Sequence, residues 1–228
     1  MTRAIVVLLM FVPLSACAAT PAGGNAANAN LDVQAQAVRQ ALSQSVDTAV
    51  NRLGRMDGYW ANPSLRIPLP EELQRLEKIL RRYGLERHAE EFAESLNRAA
   101  EAAVPAAKAV LLDAIRDMTL RDAADIVRGG DDAATRYFRT HHDAALSERL
   151  KPIVAEATAR VNVSAAYKRL IKKAAFLERG AEPGRLDLDA HVTRAALDGL
   201  YQSMAEEERR IRRNPQARST DLLKKIFR

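Results

Sequence analysis

Asn97, Arg98 and Glu101 come nearest to a chemically useful set in this chain. On a helix, Asn97 and Glu101 stand one turn apart and share a face. Joined by Asp131, Asp132 and Arg136 from a second segment, they would line a polar cleft in which Glu101 acts as a general base, the arrangement of a hydrolase or a small-ligand site. The competing and preferred reading is a buried Asn, Arg and Glu network that holds small-residue helices together, because polar groups inside a bundle need partners. Asp131 and Asp132 also fit a cation poorly, since calcium takes six or more oxygens and the spacing is not that of an EF-hand loop. The glycines beside them suit phosphate at a helix start, but two carboxylates would repel it. Capping and a favourable helix-dipole interaction account for the pair.

Other chemistries lack their residues. His88, His141, His142 and His191 form no HExxH, and adjacent residues on a helix point about 100° apart, so His141 and His142 do not converge on one metal. There is no G-x-S-x-G, and the single cysteine, Cys17, lies next to the N-terminal apolar run. No metal and no cofactor is expected.

These residues must be positioned by helices. Met118 to Phe138, MTLRDAADIVRGGDDAATRYF, reads as helix, glycine corner, helix. Thr119 can cap the first helix, Gly129 and Gly130 stop it in the left-handed geometry glycine tolerates, and Asp131 or Asp132 caps the second. Upstream, Val38, Leu42, Val46 and Val50 or Leu53 make one helical stripe, and Gly54 ends it. Residues 55–70 contain Gly58, Pro63, Pro68 and Pro70 and cannot be a helix interior. They form an ordered crossing whose Tyr59, Trp60, Leu65, Ile67 and Leu69 plug the core, with an exposed aromatic ligand platform as the alternative. Pro70 opens a helix carrying Leu73, Leu76, Ile79, Leu80 and Tyr83, and Gly84 caps it.

A further helix, with Phe92, Leu96, Ala99 and Ala103 inward, is interrupted or kinked at Pro105, beyond which Val110, Leu111, Ala114 and Ile115 continue. After Phe138 come Leu146, Leu150, Ile153, Val154, Ala157 and Val161, with a kink expected at Pro152. Ser164 can cap a helix carrying Tyr167, Leu170, Ile171 and Phe176. Asp187 caps a long helix with Val192, Ala196, Leu200, Met204 and Ile211 inward, and Thr220 starts a short last one. Short connections between about nine helices imply an all-α bundle. No internal repeat is visible.

The chain of 228 residues is 47% hydrophobic and 28% charged, the balance of a folded domain, with only 5% aromatics. Its core therefore rests on Leu, Ile, Val and Ala, and alanine favours helices. At the N-terminus, Arg3 precedes AIVVLLMFVPL, an apolar run too short to stay in a bilayer as a permanent span. It reads as an export signal. Its end, Leu14-Ser15-Ala16-Cys17, resembles the lipobox of bacterial lipoproteins, in which the cysteine is acylated and the chain is cut before it.

Residues 1–16 are then signal peptide, 17–30 a lipidated flexible tether reaching roughly 20 Å, and 31–228 a single helical domain. Several acyl chains on one cysteine make a stable anchor. By the sorting rule of enterobacterial lipoproteins, Ala rather than Asp at position 18 favours the outer membrane, facing the periplasm. There, nucleic acid is not an expected partner, although Lys and Arg exceed Asp and Glu by 35 to 29. Anionic lipid head groups, an acidic envelope polymer or an envelope protein is the reachable partner. The candidate surface is the C-terminal run with Arg209, Arg210, Arg212, Arg213, Arg218, Lys224 and Lys225. Its acids and bases also stand at self-pairing spacing, Glu206 with Arg210 and Glu208 with Arg212, which makes a solvated, self-paired face the default.

Several blocks in order, MDGYWANPSLRIPLPEEL, SLNRAAEAAVPAA, GGDDAATRYF and HVTRAALDGLYQSMAEEERRIRRNPQARSTDLLKKIF, resemble the DUF4197 family of proteobacterial proteins, which often begin with an export or lipoprotein signal. The resemblance covers nearly all of the chain after the signal. It implies the same helical fold and envelope address, and it carries over no catalytic residue. Tyr59 and Tyr201 stand where the family has an aromatic such as Phe, and His141-His142 falls outside the pattern. The resulting expectation is a membrane lipoprotein whose helical domain binds a partner. The alternatives are the Glu101 cleft and a lipid carrier with an apolar cavity between helices.

Overall fold

The computed structural model describes residues 23–177 and 186–227, without the side chains of 23–28, 120–122 and 124. Eight α-helices follow in order: α1 Gly23–Leu53, α2 Gln74–Arg82, α3 Arg87–Arg116, α4 Leu120–Arg128, α5 Ala133–Arg160, α6 Val163–Leu177, α7 Leu188–Arg213 and α8 Asp221–Ile226. Short 3-10 turns cover Glu71–Leu73 and Pro215–Ala217, and no strand occurs among the described residues. The expected all-α bundle is what forms. Among the described residues eight helices replace about nine because Pro105 lies inside a continuous helix, α3, as Pro152 does in α5. Residues 23–30, expected as coil, belong to α1. Ala26, Ala27 and Ala29 are strong helix formers, and once the buried part of α1 is nucleated, extending it backwards adds one hydrogen bond per residue fixed. Cys17 and the segment before it lie outside the described residues.

The four long helices pack in the cyclic order α1, α3, α5, α7, and the ring closes between α7 and α1. α6 lies against α3, α2 against α6, α4 across α1 and α5, and α8 on α1. The sequence stripes are the buried ones: Val38, Leu42, Val46 and Leu53 on α1, Phe92, Leu96, Ala99 and Ala103 on α3, and Val192, Ala196, Leu200, Met204 and Ile211 on α7. On α6 the inward face is Val163, Ala166, Leu170 and Ala174. Phe176 follows Ala174 by two residues, so its direction differs by about 200°, and it points into solvent.

Expected caps appear at Asp187, which accepts from Ala190 N at 2.9 Å, and at Thr220, which accepts from Leu223 N at 3.3 Å. Gly84 ends α2 with φ +68°. Between α5 and α6 the chain turns at Asn162, φ +56°, a residue that tolerates the left-handed region better than most.

In the crossing, Tyr59, Leu65, Ile67 and Leu69 are buried as expected. Trp60 is only partly covered, with the Arg66 guanidinium stacked 3.4 Å from its ring centre. Tyr59 runs inward until its hydroxyl donates to Ala196 O of α7 at 2.7 Å. α7 admits the ring because residue 199 is glycine: a Cβ there would stand 2.5 Å from Tyr59 Cε1. Gly199→Ala therefore reverses the usual helix rule. Alanine in place of a helical glycine ordinarily stabilises by about 1 kcal/mol, whereas here overpacking should destabilise by roughly 1–3 kcal/mol, read by denaturant unfolding.

Candidate functional site

Asn97 and Glu101 lie on the face of α3 turned toward the crossing, and both are buried. The crossing has only a few turn bonds of its own, so the buried backbone groups these leave over bond to side chains. Asn97 Oδ1 accepts from Ile67 N at 2.8 Å, while its Nδ2 donates to Ile67 O at 3.0 Å and Ala93 O at 2.8 Å. One turn on, Glu101 Oε1 accepts from the N–H groups of Tyr59 and Trp60, both at 3.1 Å. Its Oε2 accepts from Arg98 Nη1 at 2.8 Å, and Arg98 reaches Asp57 at 2.8 Å and Glu94 at 3.1 Å. Burial, and then the charge of Glu101, push the Tyr59 phenol far above its usual range. It stays a neutral donor.

The second group is built by α7. Glu208, 1% exposed, accepts from Ala134 N at 3.0 Å, Thr135 N at 2.8 Å and Thr135 Oγ1 at 2.8 Å, so it caps the start of α5. Arg212, one turn later, donates to Glu208 at 2.9 Å and to Ile126 O at 3.0 Å, at the end of α4. An anion thus meets a helix N-terminus and a cation a helix C-terminus, the favourable sense for both dipoles. Asp132 occupies the cap position of α5 but makes no capping bond. Its carboxylate is held by Arg136 and Arg209, each at 3.0 Å. Asp131 accepts from Arg213 Nε at 2.7 Å. Gly129 is not left-handed as expected; the glycine is needed because a Cβ would stand 2.5 Å from Ala133 Cβ.

Asn97 and Glu101 share no bonding partner with Asp131, Asp132 or Arg136, and none of five surface clefts among the described residues is lined by both groups. Those clefts are open and edged by charged residues, the largest being about 510 Å³ beside Arg52, Arg55 and Asp57. Most of the C-terminal bases are paired within the chain, although Arg210, Arg213 and Lys224 stay exposed. Arg210 grips Glu207 with two bonds of 2.7 Å, Arg218 donates to Ile211 O at 3.0 Å and Arg212 O at 2.8 Å, and Lys224 meets Asp221 at 3.0 Å. Lys225 is exposed.

Among the described residues no cluster of metal-ligating side chains occurs. His141 lies on the Tyr137 ring at 4.0 Å and His142 against Phe138. His191 Nε2 bonds Pro68 O at 2.9 Å.

Glu208 was legible only as half of a solvated pair. A better signal existed, because Val192, Ala196, Leu200 and Met204 recur every four residues, and the next step of that stripe is position 208. Its burial predicts an asymmetry at the corner. Arg212→Ala should destabilise by about 3–5 kcal/mol, because it strands a buried carboxylate. Arg136→Ala should cost under about 1 kcal/mol, because that side chain is largely exposed and Asp132 keeps Arg209. Equilibrium denaturation of both variants measures the difference.

No curated protein and no solved structure matches this chain. A family profile does, over residues 29–228, and its description is Protein of unknown function (DUF4197). With the match running from the first turns of α1 to the last residue, the chain belongs to the DUF4197 family.

Proposed function

We propose that this chain is a lipid-anchored envelope lipoprotein facing the periplasm from the outer membrane, and that its helical domain binds a partner instead of catalysing a reaction. The address rests on the apolar run that ends in Leu14-Ser15-Ala16-Cys17 and on Ala18 after it. The single observation that favours binding over chemistry is the burial of Glu101 with a bond on each oxygen. Both of its oxygens are engaged, by two backbone N–H groups and by Arg98, so the group best placed in sequence to take a proton from a substrate instead holds the crossing. A general base must come within reach of the substrate proton, and Glu101 is only 4% exposed. Asn97 serves the same segment.

Metabolic labelling with a fatty-acid analogue, followed by membrane fractionation, tests the anchor. Wild type should carry the label and sediment with outer membranes, and Cys17→Ala should lose both properties. A wild-type chain that stays unlabelled overturns the lipoprotein reading.

A further inference from the structure

The long α6 helix contains Lys168, Arg169, Lys172 and Lys173 and no acid. These four are exposed and recur at i, i+1, i+4 and i+5, so they form one outer face opposite Ala166, Leu170 and Ala174. Phe176 completes that face at i+8 and is 87% exposed. Beside α6 packs α2, with Arg75, Lys78, Arg81 and Arg82 against the single acid Glu77. Tyr83, at its end, is 57% exposed. Four bases against none in α6 and four against one in α2 leave a balance of +7 on these two helices, where the entire chain carries +6. The remainder of the molecule sums to −1, and there most of the C-terminal bases are paired with acids. Among the described residues, Lys78, Arg82, Lys168, Arg169, Lys172 and Lys173 form no salt bridge. The α3 acid that feels Arg169, Glu91, is already bonded to Arg87 at 2.7 Å.

We propose that the joint outer face of α2 and α6 docks onto an anionic phospholipid bilayer, with the bases at head-group phosphates and the Phe176 ring entering the acyl boundary. Charge complementarity requires an anionic occupant. The exposed Phe176 ring selects a bilayer among anions, because it has nothing polar to offer and gains only by leaving water for an apolar layer just beneath the charges. The proposal deepens the lipoprotein reading and takes from it the nearness of a membrane, while the charge pattern stands on its own.

The test uses the full chain with vesicles of phosphatidylcholine alone, or of phosphatidylcholine and phosphatidylglycerol in equal shares. Each base near an anionic surface is worth about fivefold in partitioning, so Lys168→Gln/Lys172→Gln should lower the phosphatidylglycerol-dependent binding roughly thirtyfold. Added salt should act in the same direction. All these side chains are exposed, so the variant should unfold at the wild-type temperature. In Phe176→Trp, the added indole emission, read against wild type with its single Trp60, should be quenched by acyl-brominated lipid only when phosphatidylglycerol is present.

Equal quenching on both vesicle types, or binding indifferent to the two lysine changes, overturns the proposal. So does preferential capture of single-stranded DNA or polyglutamate with the indole unquenched. Running the same measurements on Cys17→Ala separates the two readings: charge-dependent quenching that survives in this variant leaves the face standing without the anchor, while only a wild type unlabelled by fatty acid removes the anchor.

Discussion

The fold depends on carboxylates that are buried because backbone needs them. Wherever the chain leaves a helix inside the bundle, it exposes N–H and C=O groups that water cannot reach, and an unpartnered buried group costs about 1–3 kcal/mol. Glu208 meets two N–H groups at the start of α5, Arg212 meets a carbonyl at the end of α4, and Glu101 with Asn97 meets those of the crossing. Each charge also has its counter-charge one helical turn or less away, at Arg212 and Arg98. The same pairings bring distant segments together: α7 to the α4–α5 corner, and α3 to residues 59–67. Without them the long helices would retain their apolar stripes but lose what fixes the irregular pieces between them.

That constraint bears directly on function. Acids and amides buried to complete backbone bonding lie out of a substrate's reach, so the densest polar groups of this molecule are its framework. The bases at the C-terminal end of α7 belong to the same framework, since Arg209, Arg210, Arg212 and Arg213 each hold an acid of the chain. The densest group of bases without an acid gathers on α2 and α6, helices that lie outside the four-helix ring and present one face to solvent. A surface free of internal obligations is where recognition of something outside the chain is physically cheapest.

Particular residues show how far sequence reading reached. The stripes of α1, α3 and α7 were legible because burial at every helical turn leaves a periodic trace. The caps at Asp187 and Thr220 were legible because a capping bond spans only three residues. The preference for a buried network around Asn97 and Glu101 agrees with their bonds, although their partners at 59, 60 and 67 were not visible. Position alone makes Asp131 or Asp132 the cap of α5, and Asp132 does stand at the cap position without making the bond. The capping bond passed to Glu208, some seventy residues away, because Arg136 and Arg209 compete for the aspartate. Gly129 was read through backbone freedom when the requirement is room for Ala133.

By itself the sequence determined that this protein is helical, where most of its helices begin and end, and which face of each is apolar. It also determined the charge of every segment. These properties follow from interactions within a few residues, which the order of side chains records directly. Only the tertiary structure decided which charges are consumed and which are free. Glu208 and Arg212 look the same in sequence as any exposed pair, while α6 looks like one more basic stretch. The difference comes from which helices lie beside them, and that contact is made between residues far apart in the chain.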